Sequence, residues 1–306
     1  MNENKTRIEW IDISKGIAII LVVLGHSSIP YSISNFIWAF HMPLFFMASG
    51  LVTNFPKNTL REFAFHRLRT LMLPFVIYSI IVIGLYRFTS TPRPFLEWLL
   101  KGWEGYALWF IPVLYLSSVL TKTVYMIGNK YVRLVSVLMI VAIGYVLSIY
   151  DVYLPWSLSS VPYACFMIVV GNELKPLIKN MEKKSIVVII GLFIITALIS
   201  YFWRLDMCFN LITPIIPLTI GVLAGCVMSF SLSSFISCRT KRISRILSTV
   251  GRETYIVVAF SQIIILIINS HFAIPSAVKY SVLIILLVLL VRIKNAINML
   301  IGVRVL

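Results

Sequence analysis

The sequence predicts an all-α, polytopic integral membrane bundle of about ten transmembrane helices with the N- and C-termini cytoplasmic. Three observations carry that prediction. The 306 residues are 59% hydrophobic and only 12% charged, with a mean hydropathy of +0.95, which a water-facing fold does not tolerate. Apolar runs recur between short polar connections along the whole chain, and each is long enough to cross a bilayer core of about 30 Å, which takes about 20 helical residues. Assigned alternately to two sides, the connections sort the 27 Lys and Arg: all but Arg87, Arg93, Lys101, Arg204 and Lys279 fall on one side, as cytoplasmic loops require. An odd number of spans would spoil the sorting.

The spans fall near 15–33, 35–54, 70–88, 106–126, 132–150, 158–174, 185–203, 210–232, 247–270 and 277–293. The first follows the polar stretch Met1 to Trp10 and contains His26. Pro30-Tyr31-Ser32 and Asn35 separate it from the second, because proline interrupts a helix. The third follows a basic entry, Arg67 and Arg69 before Pro74. Thr89 to Gly105, about 17 residues with Phe95, Trp98 and Trp103, is the longest polar connection before the fourth span. The later spans are punctuated on the crowded side by Lys122, Lys130 and Arg133, by Lys175 to Lys184, by Arg239 to Arg252, and by Arg292, Lys294 and Arg304. No connection has room for a soluble domain, so residues 1–306 read as a single transmembrane domain. No inverted repeat of interrupted helices, such as many transporters carry, is visible.

The formal net charge of +16 does not make a nucleic-acid face, because long apolar runs keep the basic residues apart. Cys165, Cys208, Cys226 and Cys238 are widely spaced, with no C-x-x-C pair and no His at ligand spacing, so they read as packing residues and no metal site is expected. The first apolar run holds a histidine and continues into a second span, which is not the pattern of a cleaved signal peptide.

In so apolar a bundle the informative residues are those that lipid rejects. His26 follows Lys15 by 11 residues, three helical turns plus about 20°, so the two share a face about 16 Å apart along the axis. That puts Lys15 at the cytoplasmic surface and His26 near mid-membrane. His41, in Phe40-His41-Met42-Pro43, mirrors His26 about position 33.5. An antiparallel hairpin would carry both imidazoles to similar depth, facing each other or one pocket. Pro43 would open its helix locally, which lipid tolerates only beside protein or a polar cavity. A single intramembrane histidine is often a helix-packing group; two at matched depth are harder to read that way. His66 and His271 read as solvated surface residues. Arg67 and Arg69 suit phosphate, since a guanidinium offers a planar fork of donors. The blander alternative, an anchor on lipid headgroups, stands open for Arg67 and Arg69 as well, and it is the whole reading of Arg61 and Lys57.

The stretch Trp10-Ile11-Asp12-Ile13-Ser14-Lys15-Gly16, leading to Leu24-Gly25-His26, followed by Phe40-His41-Met42-Pro43-Leu44-Phe45-Phe46, resembles the opening of the membrane-bound acyltransferase-3 family. These are bacterial O-acetyltransferases of surface polysaccharides, including a fucose 4-O-acetylase-like branch. A basic residue, ten intervening positions and a histidine is a hallmark of that family. Arg67, Arg69 and Pro74 are similar to its arginine-rich entry to the third helix, Leu108-Trp109-Phe110 to its Leu-Trp-Phe element, and Gly251-Arg252-Glu253-Thr254 to its late Gly-Lys/Arg-Asn-Ser element. Lys15 stands where many members have Arg, keeping the charge without the fork, and Ser261 stands where many have a second His.

The resemblance implies a multi-pass protein of the inner (plasma) membrane that moves an acetyl group from cytoplasmic acetyl-CoA to a hydroxyl of a surface polysaccharide or its lipid-linked sugar precursor. Lys15, Arg67 and Arg69 would hold the phosphates of coenzyme A. His26 would act as general base, and burial favours the neutral imidazole that a base needs. His41 would orient His26 or help stabilise the developing oxyanion. Ser27, Ser49 and Ser261 are candidate acyl carriers with no distinguishing neighbour. The expected partners are acetyl-CoA, a sugar or polysaccharide acceptor and membrane lipid, with no nucleic acid and no metal. The rival readings are a polytopic transporter or flippase of a glycolipid or polysaccharide intermediate, and a non-catalytic scaffold for envelope enzymes.

Overall fold

The computed structural model describes residues 8–27, 29–90, 93–178 and 186–301. Among them it is all-helical, with no β-strand. In chain order the helices are α1 (Glu9–Gly25), α2 (Tyr31–Trp38), α3 (His41–Val52), α4 (Leu60–Arg67), α5 (Leu73–Leu85), α6 (Phe95–Lys101), α7 (Phe110–Tyr125) and α8 (Lys130–Ile149). They continue with α9 (Val161–Glu173), α10 (Lys175–Ile178), α11 (Ile186–Phe202), α12 (Ile215–Arg239), α13 (Lys241–Arg252), α14 (Thr254–His271) and α15 (Ser276–Ile301).

Every predicted span contains a helix, and seven helical segments among the described residues are long and apolar enough to cross a membrane. This is a multi-pass membrane protein. Three of the expected spans correspond to shorter helices: α1, α9 and α11. The expected placement of the termini concerns residues 1–7 and 302–306, which lie outside the described residues, as do Lys179, Lys183 and Lys184.

Several boundaries differ from the sequence reading for identifiable reasons. α1 opens at Glu9, not near 15, with Glu9 and Asp12 in its first turn, where carboxylates complement the helix dipole. It stops at Gly25, so His26 is its C-cap residue and not a position inside a longer helix. The second span is two helices joined at Ala39-Phe40, where Phe40 departs from helical geometry at φ −143°. Pro43 therefore falls in the first turn of α3, where its missing N–H costs nothing, and it does not open the helix as expected. The third span starts early because Thr59 and Glu62 form a reciprocal capping box at the head of α4.

Contacts gather the chain into two compact units. The first comprises the described residues of 1–53, 167–206 and 212–254. Its centre is α1, packed on α13, α12 and α3, with α11 against α12 and α2. Ser244 donates its hydroxyl hydrogen to Glu9 at 2.5 Å, and one heptad further along both helices Gly16 lies against Gly251. Equal steps in the same direction mean that α1 and α13 run parallel. A Cβ at Gly16 would stand 2.1 Å from the Leu247 carbonyl oxygen, and one at Gly251 would stand 1.8 Å from that of Asp12, so only glycine admits this backbone approach. Gly50 and Gly171 make an equally close crossing between α3 and α9.

The second unit comprises the described residues of 54–166, 207–211 and 255–306. Between α4 and α5, Leu68–Met72 forms a π-helical turn. Pro74 has no N–H to return to the Arg69 or Thr70 carbonyl, and beside this gap the Leu71 carbonyl accepts the Tyr255 hydroxyl at 2.7 Å. The long connection before the fourth span is ordered by an aromatic cluster: Trp98 lies 4.5 Å from Trp103 and 4.8 Å from Tyr86 between ring centroids. Cys165, Cys208 and Cys226 are buried, as packing residues would be, and Cys238 is exposed.

Candidate active site

His26, His41 and Lys15 all belong to the first unit, whereas Arg67 and Arg69 belong to the second. The two histidines do come together, by a different route from the expected hairpin. His26 caps the end of α1 and His41 opens α3, and both rings contact one indole. Trp38, the last residue of α2, lies 6.0 Å from His26 and 6.1 Å from His41 between ring centroids, edge to face with each. Gly25 makes room for it: a Cβ there would stand 3.2 Å from the Trp38 Nε1. The short α2, read from the sequence as part of one continuous span, is thus what delivers the aromatic wall between the imidazoles.

His41 is buried, and its Nδ1 lies 2.8 Å from the Ile37 carbonyl oxygen. A carbonyl only accepts, so in the neutral ring Nδ1 carries the hydrogen and Nε2 is left as an acceptor. His26 is half-buried at the mouth of the same cluster.

Two further residues, Arg204 and Asn35, complete the surroundings, and sequence reasoning gave neither of them a role in the site. The Arg204 guanidinium lies 4.5 Å from the Trp38 ring centroid and 5.9 Å from that of Tyr31, and it pairs with Asp206 at 3.8 Å. Asn35 is buried, and its Oδ1 accepts no hydrogen bond among the described residues, nor does the Trp38 Nε1 donate one. Buried polar atoms are nearly always satisfied, so the unpaired Nε1 of the indole that both imidazoles touch, and the unpaired Asn35 Oδ1 three residues earlier on α2, are open to a polar ligand. The available signal was Arg204 itself, one of the few basic residues on the sparse side.

Lys15 lies 3.6 Å from Asp12, a buried carboxylate one turn earlier on α1, so its charge is offset within its own helix. Along α13 a cleft of about 580 Å³ is lined by Lys241, Arg245 and Arg252. In the second unit, Arg67 leans over the Phe63 ring at 5.4 Å, while Arg69 is exposed within the π-helical turn. Two positions apart on a helix do not face each other. Of the candidate carriers, Ser27 donates to the Leu24 carbonyl at 2.5 Å, whereas the hydroxyls of Ser49 and Ser261 are buried without a partner among the described residues. His66 is exposed; His271 is exposed but bonded to the Phe88 carbonyl at 2.7 Å.

An all-helical, multi-pass membrane protein with a half-open histidine pair is the class that fold and site define. The chain belongs to the acyltransferase-3 family: the family model, an acyltransferase domain, matches residues 8–293. It is a membrane acyltransferase. No curated protein and no solved structure matches the chain.

Proposed function

We propose that this protein is an O-acetyltransferase that moves an acetyl group from cytoplasmic acetyl-CoA to a sugar hydroxyl of a surface polysaccharide or its lipid-linked precursor, from within the inner (plasma) membrane. The observation that carries the reading is the meeting of His26 and His41 on Trp38 within a chain of the acyltransferase-3 family.

A sugar hydroxyl is a weak nucleophile near neutral pH and needs a base in hydrogen-bond reach. His26 takes the hydroxyl proton as the oxygen attacks the thioester carbonyl. The tetrahedral intermediate then collapses, breaking the carbon–sulfur bond, and the imidazolium returns the proton to the leaving coenzyme A thiolate. Ester and free thiol are the products, and His26 is regenerated. With its Nδ1–H given to Ile37, His41 offers a lone pair at Nε2, which suits orienting His26 or the acceptor hydroxyl better than donating to an oxyanion. The unpaired Trp38 Nε1 and Asn35 Oδ1, with Arg204, supply the mixed donors and acceptors that a polyhydroxylated acceptor needs. Lys15, Arg67 and Arg69 are each proposed as donors to the phosphates of coenzyme A, a role that further cations can share.

Purified protein in lipid nanodiscs, given labelled acetyl-CoA and a panel of glycans, tests the reading. Release of free thiol together with labelled glycan is expected. Thiol release that never exceeds hydrolysis without protein, across the panel, withdraws it in favour of a transporter.

A further inference from the structure

We propose that the cleft along α13 is a phosphate-binding site. Lys241, Arg245 and Arg252 line it, and these positions follow i, i+4 and i+11. On a helix those steps turn by about 40° and 20°, so the three cations form one stripe about 16 Å long. Orienting a chain in a membrane requires only that cations lie on one side; it does not require them to converge on a concavity, and like charges on one helix face repel. Ser244 and Ser248 lie in the same wall and add hydroxyls between the cations.

Among the described residues, little neutralises this stripe. Among the described residues, the one carboxylate in the cleft wall is Glu9, which accepts the Ser244 hydroxyl at 2.5 Å. Lys241 and Arg245 have no ion-pair partner among the described residues. Arg252 donates one hydrogen bond to the Thr249 hydroxyl at 2.9 Å, which steadies the guanidinium and leaves most of its five donors for a ligand. Because α1 and α13 are parallel and open at Glu9 and Lys241, both helices present their N-terminal amides and partial positive charge at the same end of the cleft. Lys15, by contrast, already has Asp12.

The register of the two helices gives the cleft a direction. Glu9 pairs with Ser244 and Gly16 with Gly251, so Arg252 stands level with Ile17, and His26 lies nine residues further along α1, about 14 Å. In the reading proposed above, on which this identification rests, the phosphates are those of the coenzyme A nucleotide, and the acyl arm continues along α1 toward the histidines. An anionic lipid offers the same phosphate chemistry from a second source.

The experiment uses the full-length protein in nanodiscs of phosphatidylcholine alone, with 3′,5′-ADP as the probe in calorimetry, and native mass spectrometry of retained phosphatidylglycerol as a second arm. Lys241→Gln with Arg245→Gln is expected to weaken 3′,5′-ADP binding about ten-fold or more, while Arg242→Gln, exposed on the same helix but outside the cleft, leaves it unchanged. Loss of retained phosphatidylglycerol instead of nucleotide binding assigns the site to lipid and still supports it. Unchanged binding of both ligands overturns the proposal, as does an equal loss in the Arg242 variant, which would mean diffuse charge. These exposed positions do not endanger folding, and binding is read without turnover. Failure of acetyl transfer with binding intact therefore counts against the proposed function alone.

Discussion

Gly16 and Gly251 touch backbone to backbone, so the hallmark basic segment of α1 and the late glycine element of α13 are two sides of one crossing. A methyl group at either glycine would overlap a carbonyl oxygen of the other helix. Gly16→Ala and Gly251→Ala are each expected to destabilise the protein by about 1–3 kcal/mol, the usual cost of overpacking, seen as a lowered thermal midpoint in detergent. The double variant should fall short of the sum, since the same contact is lost twice. Gly84→Ala, where nothing lies within 4 Å of the added carbon, should hold or raise the midpoint, because alanine in a helix narrows the unfolded chain; an equal fall there would mean that the loss does not come from the crossing of α1 and α13.

Replacing His26 by Ala should lower kcat by about 10²–10⁴, the span of a general base, without weakening acetyl-CoA binding. His41→Ala should also lower kcat and still fold, because the Ile37 carbonyl keeps a second donor, the Phe40 N–H at 3.3 Å. Single-turnover kinetics on both variants provides the measurement. Full activity in the His26 variant would end its role as base.

Arg204 should matter to the acceptor and not to the donor. Its stacking on Trp38 is worth about 0.5–2 kcal/mol, and lysine does not reproduce a planar stacked cation. Arg204→Lys is therefore expected to raise the acceptor KM roughly two- to thirty-fold at saturating acetyl-CoA. A change confined to the acetyl-CoA KM would remove Arg204 from the acceptor region.

Tyr255→Phe removes the hydroxyl held by the Leu71 carbonyl and nothing else of comparable size. The cost should be about 0.5–1.5 kcal/mol, concentrated in the π-helical turn that bears Arg69. Hydrogen exchange should quicken over residues 68–76 and stay unchanged in α8. Exchange that quickens equally everywhere would make Tyr255 a global packing residue.

The helices were legible because apolar length and the sidedness of Lys and Arg are properties of segments and survive any error in a single residue. His26 and His41 were legible because hydrocarbon tolerates few imidazoles. The break at Ala39-Phe40 was not, since neither residue is a helix breaker; it follows from how Phe40 packs beneath Gly225, where a Cβ would stand 2.6 Å away. Trp38 escaped notice because it looks like an ordinary span residue, Asn35 because its polarity reads as part of the break between spans, and Arg204 because it comes from a distant part of the chain. The cations of α13 were visible and were read as orientation, because counting charge by loop hides their convergence on a cleft.

The glycine crossing turns residue count into a physical length. With α1 clamped against α13 at Gly16, one residue inserted between Gly16 and His26 would advance everything beyond it by 1.5 Å and swing it by about 100°. His26 would leave the indole edge although every chemical group survived. Deletions act with the opposite hand. The ten positions between Lys15 and His26 are thus a gauge whose length cannot drift.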